Sequence, residues 1–282
     1  MKNGFPTLRL ELNSRPESPA LVRAAVTGLA ELLAFDSELF EDLRIAVSEA
    51  CNNVVMHAYD GEPGPLVVGL EIEPAWVEVK VRDWGGGIQH VEQSDDRMGV
   101  GLAVISALAD RAEFISAAGG GTEVRMAFIG PDAAVDEFER RPIDGGPDAG
   151  DPVLLSGDVV VTLTPVDLLG GVLGRLTRAV AARAHFTVDR LCEVSLVTDA
   201  IGSFANTAAS GATISFALLA GRRRVELIVG PVRPGSGGRL EDAGLPDAPL
   251  AQLVSEVSVE AIDGIEILHV VVTACEESRA VQ

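Results

Sequence analysis

From Phe40 to Tyr59 the apolar residues Phe40, Leu43, Ala46, Val47, Ala50, Val54 and Val55 recur at intervals of mostly three and four, the period of a helix with one buried face. Val77-Glu78-Val79-Lys80-Val81-Arg82-Asp83 alternates apolar with charged residues, which predicts a strand with one face in a core. That strand runs into Trp84-Gly85-Gly86-Gly87. A second helix is predicted over Leu102 to Ala109, entered through Gly99-Val100-Gly101. Gly119 to Gly121 predicts a turn into a further strand that begins Thr122-Glu123-Val124-Arg125-Met126.

Each junction carries polar chemistry. Glu49 and Asn53 are four residues apart on the first helix, so a carboxylate and an amide oxygen stack on one stripe, with His57 one turn further on. Such a pair can hold Mg²⁺ through oxygen and orient a hydroxyl near a phosphate; it can equally be a polar stripe facing solvent. Asp83, at a strand end, can accept a hydrogen bond from an exocyclic amine of adenine, where guanine would present a repelled oxygen. Gly85 and Gly87 provide a tight turn and bare backbone for a flat ring to approach. Gly99-x-Gly101 at a helix start offers free amides to phosphate oxygens. Thr122 places a hydroxyl beside the last turn.

In this order and spacing, Ser48-Glu49-Ala50-Cys51-Asn52-Asn53, Asp83-Trp84-Gly85-Gly86-Gly87, Met98-Gly99-Val100-Gly101-Leu102 and Gly120-Gly121-Thr122-Glu123 resemble the four boxes of the Bergerat (GHKL, HATPase) ATP-binding fold. Within it the chain looks most like the anti-sigma-factor serine/threonine kinases, on the compact domain, the short gap from Gly87 to Gly99 and the wording Glu-Ala-Cys-Asn-Asn-Val-Val-Met-His-Ala-Tyr. The resemblance covers Phe5 to about Ile129. It implies an α/β fold, an α+β two-layer sandwich whose mixed sheet is covered by helices on one face. It also implies that Glu49 is the general base, Asn53 the Mg²⁺ ligand and Asp83 the adenine-reading carboxylate. Gly85 and Gly87 would approach the base, Thr122 would stand beside it, and Gly99, Val100, Gly101 and Leu102 would form a phosphate-facing lid hinge. His57 reads as structural. Two departures stand out: the lid carries Glu92, Asp95 and Asp96 against Arg97 alone, and Asn52 competes with Asn53 as ligand, the four-residue spacing from Glu49 favouring Asn53.

Gly130 to Pro152 holds four prolines, four glycines and seven acidic residues against two arginines, without apolar periodicity, and reads as an exposed linker. The expected organisation is an ATP-binding domain over 1–130, a linker over 131–152 and a second domain over 153–282. Beyond the linker the predicted order is strand (Val159 to Leu163), helix (Val166 to Ala184), helix (Val188 to Ala205), strand (Thr213 to Leu219), strand (Val225 to Val229), glycine-rich loop (Pro234 to Gly238) and strand (Ile265 to Val272). This order tracks the first half and suggests internal duplication. On that alignment Glu49 becomes Asp199, Asn53 becomes Ser203, and the strand before the glycines ends in Val229-Gly230-Pro231 with no carboxylate. The second domain is expected to be a degenerate, nucleotide-free copy.

A net charge of −20 opposes binding to nucleic acid or anionic membrane. Cys51, Cys192 and Cys275 are far apart, without metal-ligand spacing, and suit reduced thiols in a cytosol. The stretch from Ala200 to Gly221 is uncharged but rich in Ser, Thr, Asn and Gly, so no membrane span is expected. The start has no apolar signal core. The resemblance implies a cytoplasmic kinase of a partner switch that uses ATP and Mg²⁺, binds a sigma factor and an anti-anti-sigma antagonist, and pairs its two domains as an intramolecular pseudo-dimer. The alternative is an ATP-binding regulatory module that sequesters a protein partner without phosphotransfer, favoured by the sparse cations of the lid. A sensor histidine kinase is disfavoured, since His57, His90, His185 and His269 do not mark a long dimerisation helix.

Overall fold

The computed structural model describes residues 5–33, 36–74, 76–86, 96–116, 119–130, 155–240, 243–245 and 248–274. The chain divides into two compact units, Met1–Pro152 and Val153–Gln282. In the first, β1 (Thr7–Asn13) leads to α1 (Ser18–Leu33) and α2 (Ser37–His57). Then come β2 (Pro65–Ile72), β3 (Trp76–Asp83), α3 (Asp96–Leu108), β4 (Arg111–Ser116) and β5 (Thr122–Ile129). The strands lie side by side in the order β1-β2-β3-β5-β4.

Alternation decides which face is covered. In β1, Leu8, Leu10 and Leu12 are buried while Thr7, Arg9 and Glu11 are partly exposed, as a strand with one core face requires. Leu10 pairs with Val68, and Val68 with Val81, so one apolar row crosses the sheet toward the helices. The opposite face is a charged ladder. Arg82 lies beside Glu123 and pairs with it at 3.5 Å, and Arg125 binds Glu123 at 2.6 Å.

Every strand pair of this sheet is antiparallel, which corrects the mixed sheet expected above. The reason is in the connection. After β3 the chain crosses through α3 and enters β4 at the sheet edge, and the glycine turn at Gly119–Gly121 then returns β5 into the gap between β3 and β4. The parallel relation is thus between β3 and β4, which are not neighbours.

In the second unit β6 (Val159–Thr164), a 3-10 turn, α4 (Leu169–Arg183) and α5 (Val188–Ala208) precede β7 (Ile214–Gly221) and β8 (Arg224–Val232). A two-residue ribbon, β9 (Gly244–Leu245) with β10 (Ala248–Pro249), and the short α6 (Leu250–Leu253) lead to β11 (Glu256–Ile262) and β12 (Ile265–Thr273). Its strand order is β6-β7-β8-β12-β11, again antiparallel at every pair. This is the order of the first unit, strand for strand. The residues of the expected linker, 131–152, lie outside the described residues. No helix among the described residues is long and apolar enough to cross a membrane.

Cys51 faces the core of α2 and is fully buried, which pushes its thiol up to about 12; Cys192 on α5 is exposed. Since the thiolate is the nucleophile, iodoacetamide at pH 8 is expected to alkylate Cys192 within minutes and to leave Cys51 unmodified until denaturant is added. Peptide mapping by mass reads both sites.

Candidate functional site

Helix α2 begins with a side-chain cap. The Asp36 carboxylate accepts from the amides of Glu38 and Leu39 at 3.0 and 3.2 Å, satisfying two of the amides a helix start leaves unpaired. Leu43, Ala46, Val47, Ala50, Cys51 and Val54 then bury one stripe. Asn53 lies at the edge of that stripe. A cavity of about 50 Å³ opens there, lined by Ala50, Asn53, Val54, His57 and Ala58 of α2 and its cap, Val81 and Asp83 of β3, Leu102 of α3, and Thr122 and Val124 of β5.

Asp83 is the charged group of this cavity and is only 3% exposed. Its Oδ1 accepts from the Gly85 amide at 2.8 Å and from the Thr122 amide at 3.2 Å. Burial nonetheless outweighs these bonds and pushes the carboxyl above the ordinary aspartate range.

Glycines allow the elements to close around it. A Cβ on Gly85 would meet the Ala58 carbonyl oxygen at 1.9 Å, and the next amide, Gly86, donates to that same oxygen at 2.9 Å. Gly121 has φ +86° and its Cβ would lie 2.1 Å from the Asp83 carbonyl oxygen, so a side chain is barred both by backbone conformation and by contact. A Cβ on Gly101 would come within 2.9 Å of Asn53 Oδ1. Helix α3 therefore lies directly on the Asn53 amide, whose Nδ2 is buried with no partner among the described residues. A buried amide left unpaired is costly, and its presence fits a residue whose oxygen serves a ligand.

Of the expected residues, Asn53, Asp83, Leu102 and Thr122 converge on the cavity, with Gly85 and Gly101 packed against it. Glu49 stands one turn before Asn53, half-buried, and does not line the cavity. Val100 is 61% exposed on the outer side of α3. Gly87 lies outside the described residues. The helix entry is corrected: α3 is already helical at Asp96, so Gly99 and Gly101 lie within it rather than opening it. Glycine at 101 serves close approach to α2 rather than the start of a helix.

Tyr59 was not singled out from the sequence. Its hydroxyl donates to the Pro65 carbonyl at 2.5 Å and accepts from the Trp84 amide at 2.8 Å, while its ring lies where a Cβ on Gly64 would be. It ties the end of α2 and the start of β2 to the residue after Asp83. The available signal was composition: this is the only tyrosine of the chain, directly after the His57-Ala58 pair.

The profile of the histidine kinase-like ATPase domain matches residues 12–128, and these residues span every element of the site. Serine-protein kinase RsbW of Bacillus pumilus is 30% identical over 146 residues, covering 46% of this chain and 90% of that protein. The anti-sigma F factor of a Thermoanaerobacter species is 31% identical over 139 residues, 45% of this chain and 97% of its own length. A solved structure of the RsbU and RsbW domains of a Mycobacterium tuberculosis protein aligns over 99% of this chain and 89% of that one at 10% identity and a TM-score of 0.27. The chain belongs to the histidine kinase-like ATPase family of anti-sigma-factor serine kinases through its first unit, and that family uses ATP.

Because burial raises the folded pKa of Asp83, the folded state holds that proton more tightly than the unfolded chain. Its contribution to stability is therefore lost as pH rises through the raised value. Asp83→Asn mimics the protonated form and keeps the acceptor for Gly85 and Thr122. The expected outcome at pH 7 is a melting temperature at or above wild type, read by calorimetry, together with ATP affinity reduced by about 10- to 100-fold, the worth of one hydrogen bond to a charged acceptor.

Proposed function

We propose that this protein is an ATP-dependent serine/threonine protein kinase and anti-sigma factor of a partner-switching system. The observation that carries the reading is the convergence of Asn53, Asp83, Leu102 and Thr122 on one cavity, within a chain whose relatives bear the names serine-protein kinase and anti-sigma F factor.

In this reading Asp83 accepts the exocyclic amine of adenine, and its second oxygen and the Thr122 hydroxyl set the polar edge that selects the base. Asn53 Oδ1 is the protein's ligand to Mg²⁺. Held by Asn53, the ion would neutralise charge on the phosphates. Glu49, one helical turn from Asn53, takes the proton of a serine or threonine hydroxyl on the antagonist as that oxygen attacks the γ-phosphorus and ADP leaves. The cavity of about 50 Å³ is far below the roughly 300–1,000 Å³ of ligand pockets. Nucleotide entry thus requires α3 to lift from Asn53, with Gly99 to Leu102 as the moving part. Holding a sigma factor needs this surface alone, and release needs the chemistry.

One observation favours the alternative of an ATP-binding module without phosphotransfer: among the described residues no lysine or arginine lines the cavity. The two readings separate on Glu49→Ala. The kinase reading expects this variant to bind ATP within about threefold of wild type and to lose phosphotransfer to an antagonist by at least about 100-fold, the range of a lost general base. Intact-mass analysis of candidate antagonists reads the transfer, and transfer at the wild-type rate places the base elsewhere.

The second unit is read as a degenerate copy that stands in for a second subunit. Joining two related units through a linker raises their effective concentration for each other. Sedimentation velocity is expected to show the full chain as a monomer. A tight dimer of full chains would require another role for the second unit.

A further inference from the structure

In element lengths and burial the second unit corresponds to the first at an offset that the sequence pattern alone misses by one residue. Helices α2 and α5 are both 21 residues long. Aligned end to end, the buried Leu43, Ala46, Val47, Ala50, Cys51 and Val54 fall on the buried Val194, Val197, Thr198, Ile201, Gly202 and Ala205. Glu49 then corresponds to Ala200 and Asn53 to Phe204, not to Asp199 and Ser203, which are exposed. The strands follow the same logic. Val68 pairs with Val81 and Val81 with Val124; Phe216 pairs with Val229 and Val229 with Leu268. Two residues along the last strand from Leu268, Glu266 corresponds to Thr122; a bulge in β8 sets Val232 opposite Glu266, so the Asp83 place falls at Pro231 and Val232, neither of which carries a carboxylate.

The residue at the Thr122 position does something new. Glu266 Oε1 accepts from the Gly235 amide at 2.6 Å and Oε2 from the Gly237 amide at 2.8 Å, while the Ser236 amide between them donates to the Arg233 carbonyl at 3.1 Å. The Gly237 and Gly235 amides hold the carboxyl below the ordinary glutamate range. In the first unit the carboxylate of this junction comes from the third strand and reaches both the following loop and the last strand; in the second it comes from the last strand and reaches the loop. Both its oxygens are used. The metal-ligand amide is replaced by the buried ring of Phe204, 8% exposed. The Arg233 amide donates to the Ala208 carbonyl at 2.8 Å, and its guanidinium bonds the Thr207 carbonyl, fastening the start of the same loop to the end of α5.

We infer that the second unit has exchanged a nucleotide for its own side chains. Glu266 is an internal anion on the amides of loop Gly235–Gly237, Phe204 fills the metal-ligand position, and the unit keeps one closed form that ATP neither enters nor is needed to hold. The inference rests on reading the second unit as a related copy, and it assigns one nucleotide to each chain.

Two measurements on the full chain test it. Hydrogen exchange at Gly235 and Gly237 is expected to be slow in wild type without ATP and about tenfold faster in Glu266→Ala, with Glu266→Gln, which retains one acceptor oxygen, in between. Equal rates in the three proteins would overturn the role of Glu266. Titration calorimetry is expected to give one ATP per chain in wild type and in Glu266→Gln, and one bound about 10- to 100-fold more weakly in Asp83→Asn. Two ATP per chain, or one retained at wild-type affinity in Asp83→Asn, would overturn the inference. No ATP bound by wild type would instead remove the kinase reading, and the exchange rates would still decide the part played by Glu266.

Discussion

The first unit is organised around the burial of one carboxylate. Asp83 cannot give up its charge to water, because α2, α3 and β5 close over it, and it cannot be buried without donors. The Gly85 and Thr122 amides supply those donors, and both lie at turns whose glycines, Gly85 and Gly121, let backbone meet backbone. Tyr59 holds the intervening Trp84 amide. The end of α2, the start of β2, the end of β3 and the start of β5 are therefore fixed by one set of bonds around a group whose charge is disfavoured by burial. A site that is electrostatically uneasy when closed is suited to a ligand that brings a hydrogen-bond donor.

What was legible in the sequence was whatever the pattern of one element alone determines. The α2 helix showed its period because it buries a single face, and β3 because apolar and charged residues alternate along it although both of its faces are buried. Strand β2 did not, since residues 66–70 are buried on both faces and an apolar run does not separate a strand from a helix by period. Gly101 was read as helix punctuation, yet its reason is tertiary: it clears the Asn53 amide. The antiparallel order depends on where β4 enters relative to β5, which no local signal records. In the second half the element order was visible and the offset was not. Asp199 and Ser203 resemble Glu49 and Asn53 in chemistry, while burial assigns those places to Ala200 and Phe204.

That one-residue difference changes how the second unit is understood. With Asp199 and Ser203 in the site, it would be a weakened version of the first, with a shorter acid and a smaller ligand. With Ala200, Phe204 and Pro231 there, no side chain remains that accepts from a base or holds a cation. A polar pocket that loses its ligand must refill or collapse, since buried amides and carbonyls left without partners cost more than the contacts around them return. Phe204 fills the helix face, and Glu266, nearer the surface, takes up the loop amides of Gly235 and Gly237.

The two units thus solve the same packing problem in opposite ways. In the first, the Asn53 Nδ2 is left buried and without a partner among the described residues, Asp83 is held above its ordinary pKa, and α3 rests on Asn53 through Gly101. Each of these raises the free energy of the closed, ligand-free form, so a nucleotide that satisfies them gains from relief as well as from new contacts. In the second, the corresponding loop carboxylate is held below its ordinary pKa with both oxygens bonded, and nothing comparable is left to relieve. A ligand shifts a conformational equilibrium only by its difference in affinity for the two states. By that measure the first unit is built to respond to ATP and the second to stay as it is, giving a chain in which one half can change shape and the other provides a fixed reference.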